Sequence, residues 1–535
     1  MGLADLIIAM KQRRQQIQAG SNKPANPTPG ISIPSGSKRT RSSCEQDDYS
    51  QVTKTMRFSG PDLPEDIWCH IHALLPLPDA AQAACVSREF LHSWRCRPNL
   101  TFSQETLGVN LTFCERTLRI GEEKLALKFT KIVDEIMKKH TGIGVKTFKL
   151  LYCGSRIYTS RLKSWFKIAV NPGLEELVLS LPVVYDAKCY NFPCSLLFNG
   201  SGKSISYLNL EGCAFHPMAG LGCLRKLHLS RVDITGDELG CLLSNSLVLK
   251  ELNLSQCNNI TCLKIPCLLN QFNQLTVFGC KSLEVIENKA PNLCTVRIDT
   301  TLVRLPFGDS LPVKNLEMLW PFEYNLVYYA CTELPWIMPN LETLDISSGG
   351  EVLNTPIVPA KFLHLKLLEI CLCVAEGAFS PAYDYLSLAF FLDACPVLET
   401  FKLSICQTRM KHDSVSGDYS LLRKMPEHHH VNIKNVKIYG FCSAKSMIEL
   451  TCHILDSATS LENLTLDTIY DDADLEHVDR LDVHEIGGCS SPIGKRMIRE
   501  AHKAVLAVEK YIVGKVPSNV KLNIKKPCSQ CHSVK

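Results

Sequence analysis

Apolar residues recur along most of the chain in one arrangement, apolar-x-x-apolar-x-apolar. The last two apolar positions are two residues apart, so they share one face of a short strand, while the first lies on the approach to that strand. The triplets are Val145/Phe148/Leu150, Leu174/Leu177/Leu179, Ile205/Leu208/Leu210, Leu224/Leu227/Leu229, Leu249/Leu252/Leu254, Phe272/Leu275/Val277, Leu293/Val296/Ile298, Val313/Leu316/Met318, Leu341/Leu344/Ile346, Leu365/Leu368/Ile370, Leu398/Phe401/Leu403, Ile433/Val436/Ile438 and Leu461/Leu464/Leu466. We therefore predict a series of coils, each of which buries its triplet against its neighbours and turns the intervening polar residues to the opposite face.

A cysteine follows several of these triplets, three residues after the last apolar position. These cysteines are Cys153, Cys213, Cys257, Cys280, Cys373 and Cys406. Successive triplets begin 19 to 35 residues apart, mostly close to the length of a leucine-rich repeat, in which this is the Asn/Cys position. A small group there can turn the chain inward and satisfy backbone groups. The predicted fold class is α/β, with a leucine-rich-repeat solenoid over residues 141–425 and terminal repeats over 426–470.

Residues 61–102 follow a different, helical pattern. The Leu63-Pro64 pair opens a helix, because a proline near the first turn lacks only an amide that would be unpaired there. Apolar residues then recur at helical spacing through Leu75, and Asp79 and Ser87 can cap a second and a third helix. A unit of roughly 40 residues is marginal in isolation. Its apolar residues lie on more than one side, so we expect it to bind a partner.

The order of residues in this unit resembles the F-box family. The matching motifs are Leu63-Pro64-Glu65-Asp66-Ile67-Trp68, Ile71-His72-Ala73-Leu74-Leu75-Pro76-Leu77, Cys85-Val86-Ser87-Arg88-Glu89-Phe90 and Trp94. The resemblance implies docking on a Skp-type adaptor, which bridges to a cullin. The adaptor-facing residues that it implies are Leu63, Pro64, Ile67, Ile71, Leu74, Val86 and Phe90. Phe90 stands where the family usually has Trp, and Trp68 where an aliphatic residue is commoner, but both are large and apolar.

The chain as a whole is similar to plant F-box proteins with leucine-rich repeats, and residues 426–470 resemble the FBD-like region that often ends them. The resemblance implies a non-catalytic substrate-recognition subunit of a Skp–cullin–F-box E3 ubiquitin ligase. Its partners would be the adaptor on the F-box and a target protein on the repeats. Two alternatives stay open. One is a repeat scaffold for protein interactions without ligase function, and the other is a small-molecule-sensing F-box receptor.

The polar strand positions of a leucine-rich repeat line its concave side, where we expect the target protein to bind. These candidate target-binding residues are Glu176, Tyr207, Glu211, Lys226, His228, Glu251, Phe278, Arg297, Glu317, Asp345, Glu369, Lys402, Lys437 and Tyr439. Mixed charge with a few aromatic residues suits a protein partner. For any single residue of the set, ordinary solvated strand polarity is the simpler explanation.

Charge and composition indicate the character of the remaining segments. Residues 1–60 combine basic residues with many Pro, Gly and Ser and few apolar ones, which predicts a disordered arm. We expect a helical linker over 103–140, and an acidic loop, a cap helix and a tail over 471–535. The net charge of +4 gives no case for nucleic-acid binding. With no signal-peptide layout and no membrane-spanning apolar run, we expect a nuclear or cytoplasmic protein with reduced cysteines.

Two further motifs are weak candidates for chemistry. Cys528, Cys531 and His532 match a haem-attachment pattern. The same residues could bind zinc, but a zinc site at this tail would need more ligands. The run 428–430 is three histidines with no carboxylate or cysteine at ligand spacing, so we predict a loop. The sequence contains no P-loop, dinucleotide fingerprint, nucleophile elbow or His-Glu-x-x-His motif. We therefore name no catalytic residues and predict no metal or cofactor.

Overall fold

The computed structural model describes residues 64–86, 88–108, 119–152, 159–182, 189–200, 202–300, 303–305, 313–320, 325–356, 360–372, 383–405, 412, 414–417, 421–426, 428–469 and 495–527. They form two compact units, within residues 1–171 and 172–535. The predicted basic arm (1–60), the acidic loop and the C-terminal cysteines lie outside the described residues, so those predictions stay as they are.

Three helices come first, and strands separated by short helices or loops make up most of the rest of the described residues. The helices are α1 (Glu65–Leu74), α2 (Leu77–Val86), α3 (Arg88–Arg95), α4 (Arg119–Lys139), α5 (Leu162–Ala169), α6 (Ser195–Phe198), α7 (Gly236–Ser244), α8 (Leu326–Thr332), α9 (Leu334–Ile337), α10 (Leu388–Asp393), α11 (Lys445–Ser457) and α12 (Lys495–Tyr511). The strands are β1 (Asn99–Ser103), β2 (Thr147–Leu151), β3 (Glu176–Ser180), β4 (Tyr190–Asn191), β5 (Tyr207–Glu211), β6 (Cys213–Ala214), β7 (Lys226–Ser230), β8 (Glu251–Ser255), β9 (Cys262–Ile265), β10 (Gln274–Phe278), β11 (Val285–Asn288), β12 (Thr295–Asp299), β13 (Asn315–Trp320), β14 (Thr343–Ser348), β15 (Leu367–Leu372), β16 (Thr400–Ile405), β17 (Asn435–Tyr439), β18 (Asn463–Asp467) and β19 (Lys521–Lys525).

In the first unit, helices α1 to α3 lead into β1, which pairs in parallel with β2. Two predictions are corrected here. Helix α2 begins at Leu77, so Asp79 lies in its first turn instead of capping it. The segment Asn99–Ser103 is a strand, whereas the sequence predicted the end of the helical unit. The reason is that Leu100 and Phe102 alternate with polar residues, and both are buried in the strand.

In the second unit, each strand of the main sheet pairs in parallel with the next. The order is β3-β5-β7-β8-β10-β12-β13-β14-β15-β16-β17-β18-β19. The short strands β4 and β6 pair with one another, as do β9 and β11. Parallel strands one repeat apart, in unbroken sequence order, are the arrangement of a leucine-rich-repeat solenoid.

The apolar triplets form the core of every repeat. All 39 of their residues are buried, and none is more than 2% exposed. The register stacks equivalent positions of neighbouring strands, for example Leu252 beside Leu275 and Leu254 beside Val277. The α/β solenoid predicted from the triplets is confirmed.

The cysteines of the repeats pack as small apolar groups. The thiol of Cys257 donates a hydrogen bond to the carbonyl oxygen of Leu229 at 3.4 Å. The thiol of Cys280 donates in the same way to the carbonyl oxygen of Leu254 at 3.8 Å. Each thiol therefore caps a backbone group of the preceding repeat. Burial raises the pKa of Cys257 to about 12, which keeps it a neutral thiol.

The C-terminal end differs in part from the prediction. Helix α12 lies where a cap helix was predicted, but β19 follows it and adds a strand beside β18. The sequence predicted only a tail there, because Asn519 stands where the first apolar residue of a triplet ending in Leu522 and Ile524 would be. The described part of the chain contains no helix that combines the length and the apolar character needed to cross a membrane.

Candidate functional site

Helix α1 carries a row of exposed apolar side chains. Ile67, Ile71 and Leu74 recur at four and three residues, so they share one face of the helix, and they are 41%, 37% and 74% exposed. Pro64 is exposed just before them. Isolated exposed apolar residues need no explanation, but a row of them on one short helix marks a surface for a partner.

The remaining predicted adaptor-facing residues are placed less completely. Leu63 lies outside the described residues, and of Val86 only its position at the end of α2 is described. Phe90 on α3 is half-buried, with its ring centroid 5.4 Å from that of His72. Trp94 is buried within the three-helix unit, with its ring centroid 6.5 Å from that of His72.

His72 lies at the centre of this three-helix unit. Its Nε2 donates to the carbonyl oxygen of Ala80 at 2.9 Å, which ties α1 to α2. Burial lowers the pKa of His72, and the nearby Arg97 guanidinium acts in the same direction. The ring is therefore neutral at neutral pH and serves as a packing element of α1.

The guanidinium of Arg97 holds the C-terminal end of α1. It donates to the carbonyl oxygens of His72 (2.9 Å), Ala73 (3.4 Å) and Leu75, and its Nε donates to that of Asn99 (3.1 Å). The last carbonyls of a helix have no partner within the helix, so a buried cation beside them satisfies both their hydrogen bonds and the negative end of the helix dipole. Arg97 thus fixes the turn that presents the exposed row of α1.

The predicted target-binding residues all lie on strands of the main sheet, and none of them is buried. They alternate with the buried triplet residues along each strand, so their side chains leave the sheet on the face opposite the core. We call this surface the polar face. Parallel register brings many of them side by side, although they are 20 or more residues apart in sequence.

One group on the polar face combines cations, a carboxylate and aromatic rings. Glu251 accepts from Lys226 at 2.7 Å and from the Nε2 of His228 at 2.8 Å. The hydroxyl of Tyr207 lies 3.3 Å from the other ring nitrogen of His228. Nearby, Arg231 pairs with Glu211, which also accepts from Ser180.

A second group is a row of charges across five adjacent strands. The register places Arg297, Glu317, Asp345, Glu369 and Lys402 in direct succession. Arg297 pairs with Glu317, and Lys402 pairs with Glu369 at 3.0 Å. Asp345 is left between two carboxylates. We call these five residues the charged row.

Asp345 is the most perturbed residue of this row. Burial raises its pKa to about 7, and the carboxylates of Glu369 and Glu317 on the two neighbouring strands act in the same direction. Lys402 and Arg297 act in the opposite direction, but each is already paired with its own glutamate. The centre of the row therefore concentrates negative charge and favours a cationic group in a partner.

Comparison with known proteins identifies both parts of the chain. A family model described as "At1g61320/AtMIF1, LRR domain" matches residues 136–529, and an F-box domain model matches residues 61–101. The chain belongs to the At1g61320/AtMIF1 LRR domain family. It is thus an F-box and leucine-rich-repeat chain, and F-box/LRR proteins are generally non-catalytic adaptors.

Curated relatives in Arabidopsis thaliana are named for an F-box, together with an FBD in one case and leucine-rich repeats in another. An "FBD-associated F-box protein At1g66310" is 24% identical over 274 residues, which is 49% of this chain and 55% of the relative. A "Putative F-box/LRR-repeat protein At3g49150" is 26% identical over 125 residues, 23% of this chain and 18% of the relative. The chain thus spans about half, or less, of the length of these relatives. Among solved structures, an internalin from Listeria monocytogenes matches with a TM-score of 0.31 and 15% identity, covering 63% of this chain and 84% of that one.

One cluster of potential metal ligands in the repeats was not predicted from the sequence. The histidine run 428–430 seemed to lack a second ligand type, but folding brings His430 beside Asp393 and His453. Burial lowers the pKa of His453, with Asp393 acting in the opposite direction. The only signal in the sequence was that positions 393, 430 and 453 are Asp or His, and this does not predict that the three side chains meet.

The half-buried carboxyl group of Asp345 predicts a pH-dependent stability. Its pKa is about 7 in the folded chain and about 3.9 in an unfolded one, so the folded state binds the extra proton between those values and loses stability as the pH rises through that window. We expect Asp345→Asn to raise the free energy of unfolding at pH 8 by roughly 1–3 kcal/mol, and to change it little at pH 4. Denaturant unfolding at both pH values measures this. The control Asp237→Asn, at an exposed position of α7, should give no gain at pH 8. An equal effect of Asp345→Asn at the two pH values would contradict the assignment.

Proposed function

We propose that this chain is the substrate-recognition subunit of a Skp–cullin–F-box E3 ubiquitin ligase. The F-box binds a Skp-type adaptor, and the polar face of the repeats binds a target protein. The observation that carries the proposal is the exposed apolar row Ile67, Ile71 and Leu74, because it lies on the first F-box helix and presents apolar surface to solvent.

The size of this row suits a helix that docks into a groove on its partner. Full burial of one Leu or Ile side chain stabilises by about 1.5–3 kcal/mol. The three side chains are only partly exposed, so together they can contribute about 3 kcal/mol, or roughly a 100-fold change in affinity. The position of the row is fixed by Arg97 and His72, so little ordering is needed on binding.

The mechanism is tethering of two partners by one chain. The F-box holds the ligase and the repeats hold the target, which raises the effective concentration of target lysines near the ubiquitin-charged enzyme. The chain itself then needs no catalytic group. This function requires a shared compartment with the adaptor, and the nucleus or cytoplasm remains the location expected from the sequence.

The target-binding side of the proposal rests on the polar face. The charged row is negative at its centre, around Asp345, so we expect a target segment with Lys or Arg there. Reversing Glu251, Glu317 and Glu369 together to lysine should weaken capture of such a target at least about 10-fold. Unchanged capture by this variant would exclude the polar face as the target surface.

Adaptor binding is the decisive test. We expect the full chain to bind a purified Skp-type adaptor, and the Ile71→Glu, Leu74→Glu variant to bind at least about 100-fold more weakly, because the docking surface would carry two charges. Biolayer interferometry measures both affinities. The matched control is Leu506→Glu, an exposed leucine on α12, which should keep the wild-type affinity.

The opposite outcome would separate the alternatives. If well-folded wild-type chain does not bind the adaptor, or if the α1 variant binds as tightly as wild type, the ligase proposal is wrong. The chain would then be a leucine-rich-repeat scaffold for protein interactions without ligase function.

A further inference from the structure

Three side chains with metal-ligating atoms converge near the C-terminal repeats. Asp393 is the last residue of α10, His430 precedes β17, and His453 lies on α11. One ligand atom from each lies within 4.8 Å of the others. The backbone amide of His430 donates to the carbonyl oxygen of Ser457 at 2.9 Å, which fixes the loop against the end of α11.

The converging atoms are buried and lack hydrogen-bond partners. They are Oδ1 of Asp393, Nε2 of His430 and Nε2 of His453. His430 is only 4% exposed. A buried polar atom without a partner costs free energy comparable to a lost hydrogen bond. A single bound cation would satisfy all three atoms, which lie within 4.8 Å of one another.

The distances match the dimensions of a zinc centre. Nε2 of His430 and Oδ1 of Asp393 are 3.3 Å apart but lack the geometry of a hydrogen bond. With metal–ligand bonds of about 2.0–2.1 Å, two ligands of a tetrahedral ion are about 3.3–3.4 Å apart. With the ligand atoms at most 4.8 Å apart, His453 reaches the same geometry by moving no more than about 1.5 Å.

We propose that Asp393, His430 and His453 bind one Zn²⁺ ion. Two imidazoles and a carboxylate are a known ligand set of zinc, whereas Mg²⁺ and Ca²⁺ prefer oxygen ligands alone. A water molecule takes the fourth position, on the side where Asp393 is partly exposed. The ion links α10, the loop before β17 and α11, so it stabilises two neighbouring repeats as one body. This inference is independent of the proposed ligase function.

Zinc titration of the full chain, after removal of metal with a chelator, tests the site. We expect one tight equivalent of Zn²⁺ by calorimetry, and a rise in Tm of about 3–5 °C at 100-fold excess over Kd. Co²⁺ should give a visible spectrum of a tetrahedral nitrogen and oxygen site, without the charge-transfer band of a cobalt–thiolate bond. That spectrum distinguishes the site from the many cysteines of the chain.

The variants His430→Gln, His453→Gln and the isosteric Asp393→Asn should each weaken zinc binding by more than about 100-fold, since loss of a direct ligand exceeds the loss of an outer-shell contact. Two controls should keep the wild-type affinity. His429→Gln removes the exposed neighbour of His430, and Cys528→Ser with Cys531→Ser removes the tail cysteines. If folded wild-type chain binds no Zn²⁺, or if the site variants bind it as tightly as wild type, the proposal is wrong.

Discussion

Replacing Phe401 with alanine is expected to lower the free energy of unfolding of the repeats by about 3–5 kcal/mol. Phe401 is fully buried in β16, between Leu368 of β15 and Val436 of β17. Alanine would lose the apolar area of the ring and leave a cavity in the stack, and the neighbouring repeats are held by their own triplets and cannot collapse into it. Denaturant unfolding measures the change.

Lys402 provides the matched control, since it is the next residue of the same strand and faces the polar side. Its ion pair with Glu369 is partly exposed, so Lys402→Ala should cost less than about 1 kcal/mol. Hydrogen exchange adds a local measurement, because a long repeat array need not unfold in one step. We expect faster exchange in β15 to β17 of Phe401→Ala. Equal losses of stability in the two variants would contradict the assignment of the faces.

Replacing Arg97 with methionine is expected to lower the stability of the F-box by about 2–4 kcal/mol. Methionine keeps the apolar stem of the side chain but leaves the carbonyl oxygens of His72, Ala73 and Leu75 without their charged donor. Water can replace part of this network, which keeps the expected loss below the sum of the individual bonds. The last turn of α1, which carries Leu74, should become mobile.

We therefore expect Arg97→Met to weaken adaptor binding at least about 10-fold, even though Arg97 is buried and is not itself part of the exposed apolar row. Thermal unfolding and adaptor affinity measure the two effects. The control is Arg95→Met. The backbone carbonyl of Arg95 accepts hydrogen bonds from the amide and the hydroxyl of Thr141, and these bonds do not depend on the side chain that is replaced. A variant at Arg97 with wild-type stability and affinity would mean that the helix end needs no cation.

The strands of the repeats were predictable because their pattern is local. In Leu249/Leu252/Leu254, the two-residue spacing sets which side chains share a face, and burial of that face follows from the hydrophobic effect alone. The same argument places Glu251 and Asn253 on the polar face. Strands β1 and β19 were not predicted because neither completes the apolar triplet: Arg97 and Asn519 stand at its first position. A few alternating apolar residues without that position are too short a pattern to separate from a helix end or a tail.

The candidate sites were predictable only in part. The sequence indicated that Glu317, Asp345 and Glu369 point to the same side, but their proximity depends on the length of each intervening coil. Sequence alone therefore could not predict the raised pKa of Asp345. In the F-box, the spacing of Ile67, Ile71 and Leu74 indicated a shared helical face, while their exposure depended on which other face of α1 packs on α2 and α3.

The sequence by itself determined the repeat, the face of each strand and the F-box motif, because these depend on residues a few positions apart. The tertiary structure decided which distant groups meet. It placed Arg97 at the end of α1, and it brought Asp393, His430 and His453 together from three elements of two repeats. Such contacts join residues that are 20 or more positions apart in the sequence. The apolar pattern determines which way side chains point within one helix or strand. It does not determine the distances between elements, which depend on how the intervening chain closes.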